Sequence, residues 1–320
     1  MKPRLVFVHG IGKPRDAAAE LDGWLDALIS GAGDAGHSRR ADALLRGEQV
    51  DVRFAYYTDL FAAEGTRNGA APDDENSAEA EALADLLLDV LDTRLADPQD
   101  GQEERVLRRA RAQLAPEGQQ QGLGSAVRRT LNAANTVLAL PGLRRFGGWA
   151  SDRIMVRELG QVRRYLARQE QDGSGLSLDQ RIRDRVTAEL HPTGPTVVVA
   201  HSLGTVVAFE ALHDHLGTVP LLITLGSPIG MRTAVRRRMR PQPLAVPASV
   251  GRWLNFWDRD DVIAGHPWLE KSITANSAST SPVSRRIDSD GVWTHPALKY
   301  LAQPGVAGPV LEALEAVTAG

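Results

Sequence analysis

The sequence predicts an α/β fold: a mainly parallel sheet of about six strands, flanked by helices and interrupted by a helical insertion. Two observations lead there. Short apolar runs recur without polar alternation, which is how strands buried on both faces read. Helical periodicities lie between them. The chain has 320 residues, 42% hydrophobic and 24% charged, enough for one large core and additional cover.

The first strand is Leu5 to Val8, after Met1-Lys2-Pro3-Arg4. This run is too short for a signal-peptide core and has no small-residue cleavage site behind it. It ends in His9-Gly10-Ile11-Gly12. Glycines on both sides of Ile11 let its backbone turn toward a ligand, and the short spacing without lysine argues against a phosphate loop. Val50 to Tyr57 is a weaker strand candidate. Gly65 to Glu81 is acidic and rich in turn formers, and reads as a mobile loop.

Beyond it the pattern turns helical. Leu83, Leu86, Leu87, Val90 and Leu91 recur at helical spacing; so do Val106, Leu107 and Leu114, and then Val156, Leu159, Val162 and Leu166. Between the last two sets, Leu131, Val137, Leu138 and Leu140 sit in a stretch that is apolar nearly all round until Pro141. We read residues 65–180 as a helical insertion within a single domain, 1–320. Its stripes either pack on the core or form a lid over an acyl pocket. Strands resume at Thr196 to Ala200 and Leu221 to Leu225, with Trp253 to Trp257 and Ser284 to Ile287 as weaker candidates.

Composition excludes several chemistries. There are no cysteines, hence no disulfides, thiolate metal sites or cysteine nucleophile. The formal net charge of −3 sets up no field for nucleic acid. No His/Asp/Glu cluster has metal-ligand spacing, and neither metal nor cofactor is expected. No run of 18 apolar residues is present, so no transmembrane segment is expected and a cytoplasmic location follows by default.

The strongest motif is Thr196-Val197-Val198-Val199-Ala200-His201-Ser202-Leu203-Gly204. A buried strand runs into a serine flanked by small residues, and a helical pattern from Val206 to Leu212 follows at once. A sharp strand–turn–helix of this kind lifts a hydroxyl clear of the backbone at a helix N-terminus, where negative charge is favoured. A serine that merely caps a helix is the plainer alternative; the clean strand before it favours a nucleophile. Acyl transfer also needs two backbone N–H groups facing the oxyanion, and Leu203 and Ile11 are the candidates. His9, at a strand end, reads as structural.

Three aspartates, Asp258, Asp260 and Asp261, follow the strand at Trp253 to Trp257. Asp261, just before Val262-Ile263-Ala264, fits an anchored carboxylate best, Asp260 nearly as well and Asp258 third. His295 stands 34 residues beyond Asp261 and precedes a short helical pattern. His266 is too close to Asp261 for an intervening strand. Ser227, in Gly226-Ser227-Pro228, reads as a turn beside the site. The arginines at 232, 236, 237, 238 and 240 read as a solvated helix face, with an anionic partner as the alternative.

Taken in chain order, Val8-His9-Gly10-Ile11-Gly12, Ala200-His201-Ser202-Leu203-Gly204, Thr224-Leu225-Gly226-Ser227-Pro228, the segment Trp253 to Ala264 and Trp293-Thr294-His295-Pro296 resemble the bacterial lipase- and esterase-like α/β-hydrolases. Residues 60 to 180 match nothing in that family. The resemblance implies the α/β-hydrolase fold with strand order 2-1-3-4-5-6, and a triad of Ser202, Asp261 and His295. It also implies an oxyanion hole formed by the Ile11 and Leu203 N–H groups. The expected activity is hydrolysis of a carboxylic ester, of a lipid-like or other small-molecule acyl substrate. An acyltransferase or thioesterase with the same triad, and a non-catalytic binding protein on this fold, are the alternatives.

Overall fold

The computed structural model describes the chain except for residues 1, 13, 47–48, 63–83, 86, 97, 99, 115–151, 260, 265–266, 289–294 and 320. Six strands form one sheet: β1 (Arg4–Val8), β2 (Asp51–Ala55), β3 (Thr196–His201), β4 (Leu221–Leu225), β5 (Trp253–Asp258) and β6 (Pro282–Ile287). Their order is β2-β1-β3-β4-β5-β6, and every pairing is parallel. This is the expected order, and all six apolar runs form strands, the weakest candidate, Ser284 to Ile287, included.

The continuous hydrophobicity of the central strands has a direct cause. Leu5 and Phe7 of β1, with Val197 and Val199 of β3, face one core, closed by α1 (Ala17–Ala32), α2 (Ser38–Leu45), α8 (Ala297–Leu301) and α9 (Pro304–Ala319). Val6 and Val8, with Val198 and Ala200, face the other. That second core is closed by α5 (Asp152–Ala167), α6 (Leu178–Glu189) and α7 (Leu203–Leu212). With both faces covered, no position along these strands can be polar without being buried. Two further helices, α3 (Thr58–Ala62) and α4 (Gly101–Leu114), and a helical segment at 87–95 are also described. No helix among the described residues is long and apolar enough to cross a membrane.

The insertion stripes that are described pack inward. Val162, Tyr165 and Leu166 of α5, with Leu87 and Val90, are buried in the second core. Leu91 packs with Leu107 and Ala110. The loop expected at 65–81, the stretch from Leu131 to Pro141, Leu83, Leu86 and the side chains of Val156 and Leu159 lie outside the described residues.

Charge also ties the insertion down. Glu210 of α7 is almost fully buried. The Tyr165 hydroxyl donates to its Oε2 at 2.7 Å, and Arg168 Nη2 and the Arg240 backbone N–H donate to its Oε1 at 2.6 and 2.7 Å. Arg168 and Arg183 also grip the buried Asp179. Two carboxylates thus face two guanidinium groups, the arrangement that makes charge burial tolerable. Near the far edge, Arg94 pairs with Glu103 at 2.6 Å and donates to the Arg259 carbonyl at 2.8 Å, two residues before Asp261. The basic run at 232–240 lies in the connection after β4, not on a regular helix face. Only 236–238 make a turn of 3-10 helix there, and Arg238 pairs with Asp85 at 3.3 Å.

Candidate functional site

The site forms where the C-terminal ends of β1, β3, β4 and β5 meet. β3 ends at His201, and Ser202 turns the chain into α7 with φ 53° and ψ −129°, a conformation costly for a residue bearing a Cβ. The turn is tight against β1: a Cβ on Gly204 would fall 2.2 Å from the His9 carbonyl oxygen. The small residue expected there is therefore a steric requirement.

Ser202 Oγ lies 3.1 Å from His295 Nε2, and His295 Nδ1 lies 2.9 and 2.8 Å from Asp261 Oδ1 and Oδ2. Because Nδ1 must donate to the carboxylate, Nε2 is left as the acceptor for the serine hydroxyl proton. All three side chains are buried. Asp261 is held by two further donors, the Tyr300 hydroxyl at 2.7 Å to Oδ2 and the Ile263 N–H at 3.0 Å to Oδ1. Burial pushes its carboxyl upward, but the adjacent His295 and the hydrogen bonds from His295 and Tyr300 outweigh that and leave it below the usual carboxylate range. Asp258 ends β5, and its N–H donates to the Tyr300 hydroxyl at 3.1 Å. Tyr300 therefore ties the strand end to the acid. Of the three aspartates considered, it is Asp261 that meets His295; Asp260, like His266, lies outside the described residues.

Gly226 sits under this pair with φ +51°, and a Cβ there would fall 2.5 Å from Asp261 Oδ2. The next residue, Ser227, caps a short turn and shares a 2.7 Å hydrogen bond with Thr205, so this segment does turn beside the site.

Two further histidines are structural. His9 accepts the Tyr57 N–H on Nε2 at 3.1 Å, so Nδ1 carries the proton and donates to the Gly10 carbonyl at 2.6 Å. Burial lowers its pKa to about 4 and keeps it neutral. Fixing the Gly10 carbonyl also fixes the direction of the Ile11 N–H, because the two belong to one planar peptide. His201 is likewise neutral, its pKa lowered to about 3 by burial and by neighbouring His295. Its Nε2–H donates to the His295 backbone carbonyl at 2.6 Å, and the two rings lie 4.6 Å apart. Neither His201, within the serine motif, nor Tyr300 has a role legible in the sequence, because no local pattern announces a partner dozens of residues away.

Beside Ser202, the Ile11 and Leu203 N–H groups have no acceptor among the described residues. A cavity of about 520 Å³ opens along Gly10, Ile11 and His295, with Trp24, Phe54 and Tyr56 among its walls and Arg15, Asp16 and Glu20 also lining it. No group of three or more potential metal-ligating side chains occurs among the described residues. The arrangement can move a proton from a serine hydroxyl to an imidazole whose tautomer a carboxylate fixes. Set against family models, curated proteins and solved structures, the chain matches none.

Proposed function

We propose that the protein is a serine hydrolase of the α/β-hydrolase type that cleaves carboxylic esters. The observation that carries this reading is the continuous chain Ser202–His295–Asp261 at hydrogen-bonding distance, with the serine in a strained turn at a helix N-terminus. Ser202 attacks the ester carbonyl while His295 takes its proton; Asp261 steadies the imidazolium. The Ile11 and Leu203 N–H groups hold the oxyanion. His295 then returns the proton to the departing alkoxide, and water cleaves the acyl-enzyme by the reverse sequence.

The cavity adjoins His295, the group that protonates the leaving alcohol. Its aromatic walls and charged neighbours suit an amphipathic group better than a bare long acyl chain. Transfer of the acyl group to an acceptor other than water would use the same residues.

A fluorophosphonate probe tests the reading. The wild-type chain should be labelled at Ser202 and should hydrolyse p-nitrophenyl butyrate. Ser202→Ala should abolish both with an unchanged circular dichroism spectrum. A folded Ser202→Ala chain that still takes the probe would sink the assignment.

A further inference from the structure

The insertion touches the loop that borders the site. Gln161, on α5, accepts the Gly12 N–H on Oε1 at 3.0 Å and donates from Nε2 to the Gly12 carbonyl at 2.9 Å. One planar amide thus takes both backbone groups of the residue after Ile11, while His9 holds the carbonyl of the residue before it. Ile11 is bracketed on both sides.

The helix that carries Gln161 is itself fixed. Tyr165 stands one turn further along, on the same face, fully buried and bonded at 2.7 Å to Glu210. Glu210 belongs to α7, whose first residue is Leu203. A single helix therefore holds the loop bearing the Ile11 N–H and the helix bearing the Leu203 N–H at a set separation.

We propose that Gln161 is a positioning residue for the oxyanion hole, setting the spacing between its two donors; this rests on the hydrolase reading above. Catalysis through preorganised N–H groups depends on their being in place before charge develops. A loop free to relax loses that advantage in the transition state while still admitting substrate. The loss should therefore appear in kcat and leave KM alone.

The experiment uses the full chain with Gln161→Leu and Gln161→Glu, p-nitrophenyl butyrate as substrate and a trifluoromethyl ketone as analogue of the tetrahedral intermediate. For Gln161→Leu, kcat should fall about tenfold, less than the ~10²–10³ of losing a donor itself. KM should stay within about twofold, and the ketone should bind more weakly by the same factor as kcat/KM. In Gln161→Glu the ionised carboxylate can only accept, whereas the protonated acid restores a donor and an acceptor. The ratio of its kcat to wild type should rise as pH falls from 8 to 5 and a growing fraction of the introduced carboxyl is protonated. Should Gln161→Leu fail to fold, this ratio decides. A flat ratio, or a folded Gln161→Leu chain with wild-type kcat, overturns the inference alone. A wild-type chain with no turnover and no labelled Ser202 overturns the hydrolase reading and this inference with it.

Discussion

Ser202 and His295 meet at 3.1 Å, yet the two are held in opposite ways. Ser202 is fixed by the backbone around it: a strand paired on both sides, a strained turn and a buried helix, with its own N–H bonded to the Leu225 carbonyl. His295 belongs to no strand or helix. It is held by side chains from elsewhere, Asp261 on its ring and His201 on its carbonyl, with Tyr300 behind Asp261. The nucleophile end is set by local geometry and the base end by distant partners. The base end should therefore respond in graded steps to single side-chain changes.

The largest effect should come from Asp261→Asn. An amide at this position favours the wrong imidazole tautomer, and kcat should fall about 10⁴-fold, the scale of that change in a serine protease triad. Asp258→Asn, at the strand end, should stay within about tenfold of wild type, since what Tyr300 receives from Asp258 is a backbone N–H. Steady-state kinetics on both variants checks this. If Asp258→Asn proves the crippled one, the acid has been misassigned.

A smaller step should follow from Tyr300→Phe. It removes a donor from Asp261 and leaves the Asp258 N–H without its acceptor, a loss of about 1–3 kcal/mol in stability. Losing a bond to the charged form raises the Asp261 carboxyl toward its ordinary range. Loss of activity through protonation of Asp261 should accordingly set in at a higher pH than in wild type, which a kcat/KM profile carried into the acid range reads. A melting temperature and profile indistinguishable from wild type would show that the hydroxyl supports nothing.

The smallest effect on turnover, though not on stability, lies in the buried histidines. His9 and His201 are neutral in the folded chain with pKa values of about 4 and about 3, against about 6.5 when unfolded. Between those limits the unfolded chain binds more protons, so stability rises with pH and is lost as pH falls below 6.5. Each imidazole should cost on the order of 2 kcal/mol by pH 5. The urea midpoint should drop between pH 7 and pH 5, and His201→Phe should make the drop shallower. A midpoint equal at both pH values contradicts the burial of these rings.

The same division explains what could be read in advance. The central strands were legible because a two-face-buried strand has no freedom to be anything but apolar, as Val197 to Ala200 show; their order came with the family resemblance, and the part-exposed edge strands β2 and β6 gave weaker signals. The turn at Ser202 was legible because its steric demands fall on Ala200 and Gly204, two residues either side. The choice of Asp261 rested on the apolar anchor after it, and Ile263 is buried, its N–H on the carboxylate. Tyr300, His201 and Gln161 left no such trace. Their partners lie 39, 94 and 149 residues away, and a hydrogen bond across that distance imposes no period on the sequence. The insertion gave its apolar stripe but not its polar contacts, for the same reason.

The burial of Glu210 bears on how such a chain can change over generations. A lineage that lost the segment carrying Tyr165, Arg168 and Arg183 would strand a carboxylate with a side-chain exposure of 2%. Removing the partners of a buried charge costs about 3–5 kcal/mol, a large fraction of the ~5–15 kcal/mol that keeps a domain folded. Glu210 and its partners on α5, α6 and the link between them should thus change together. Relatives without those partners should carry an apolar residue where this chain has Glu210.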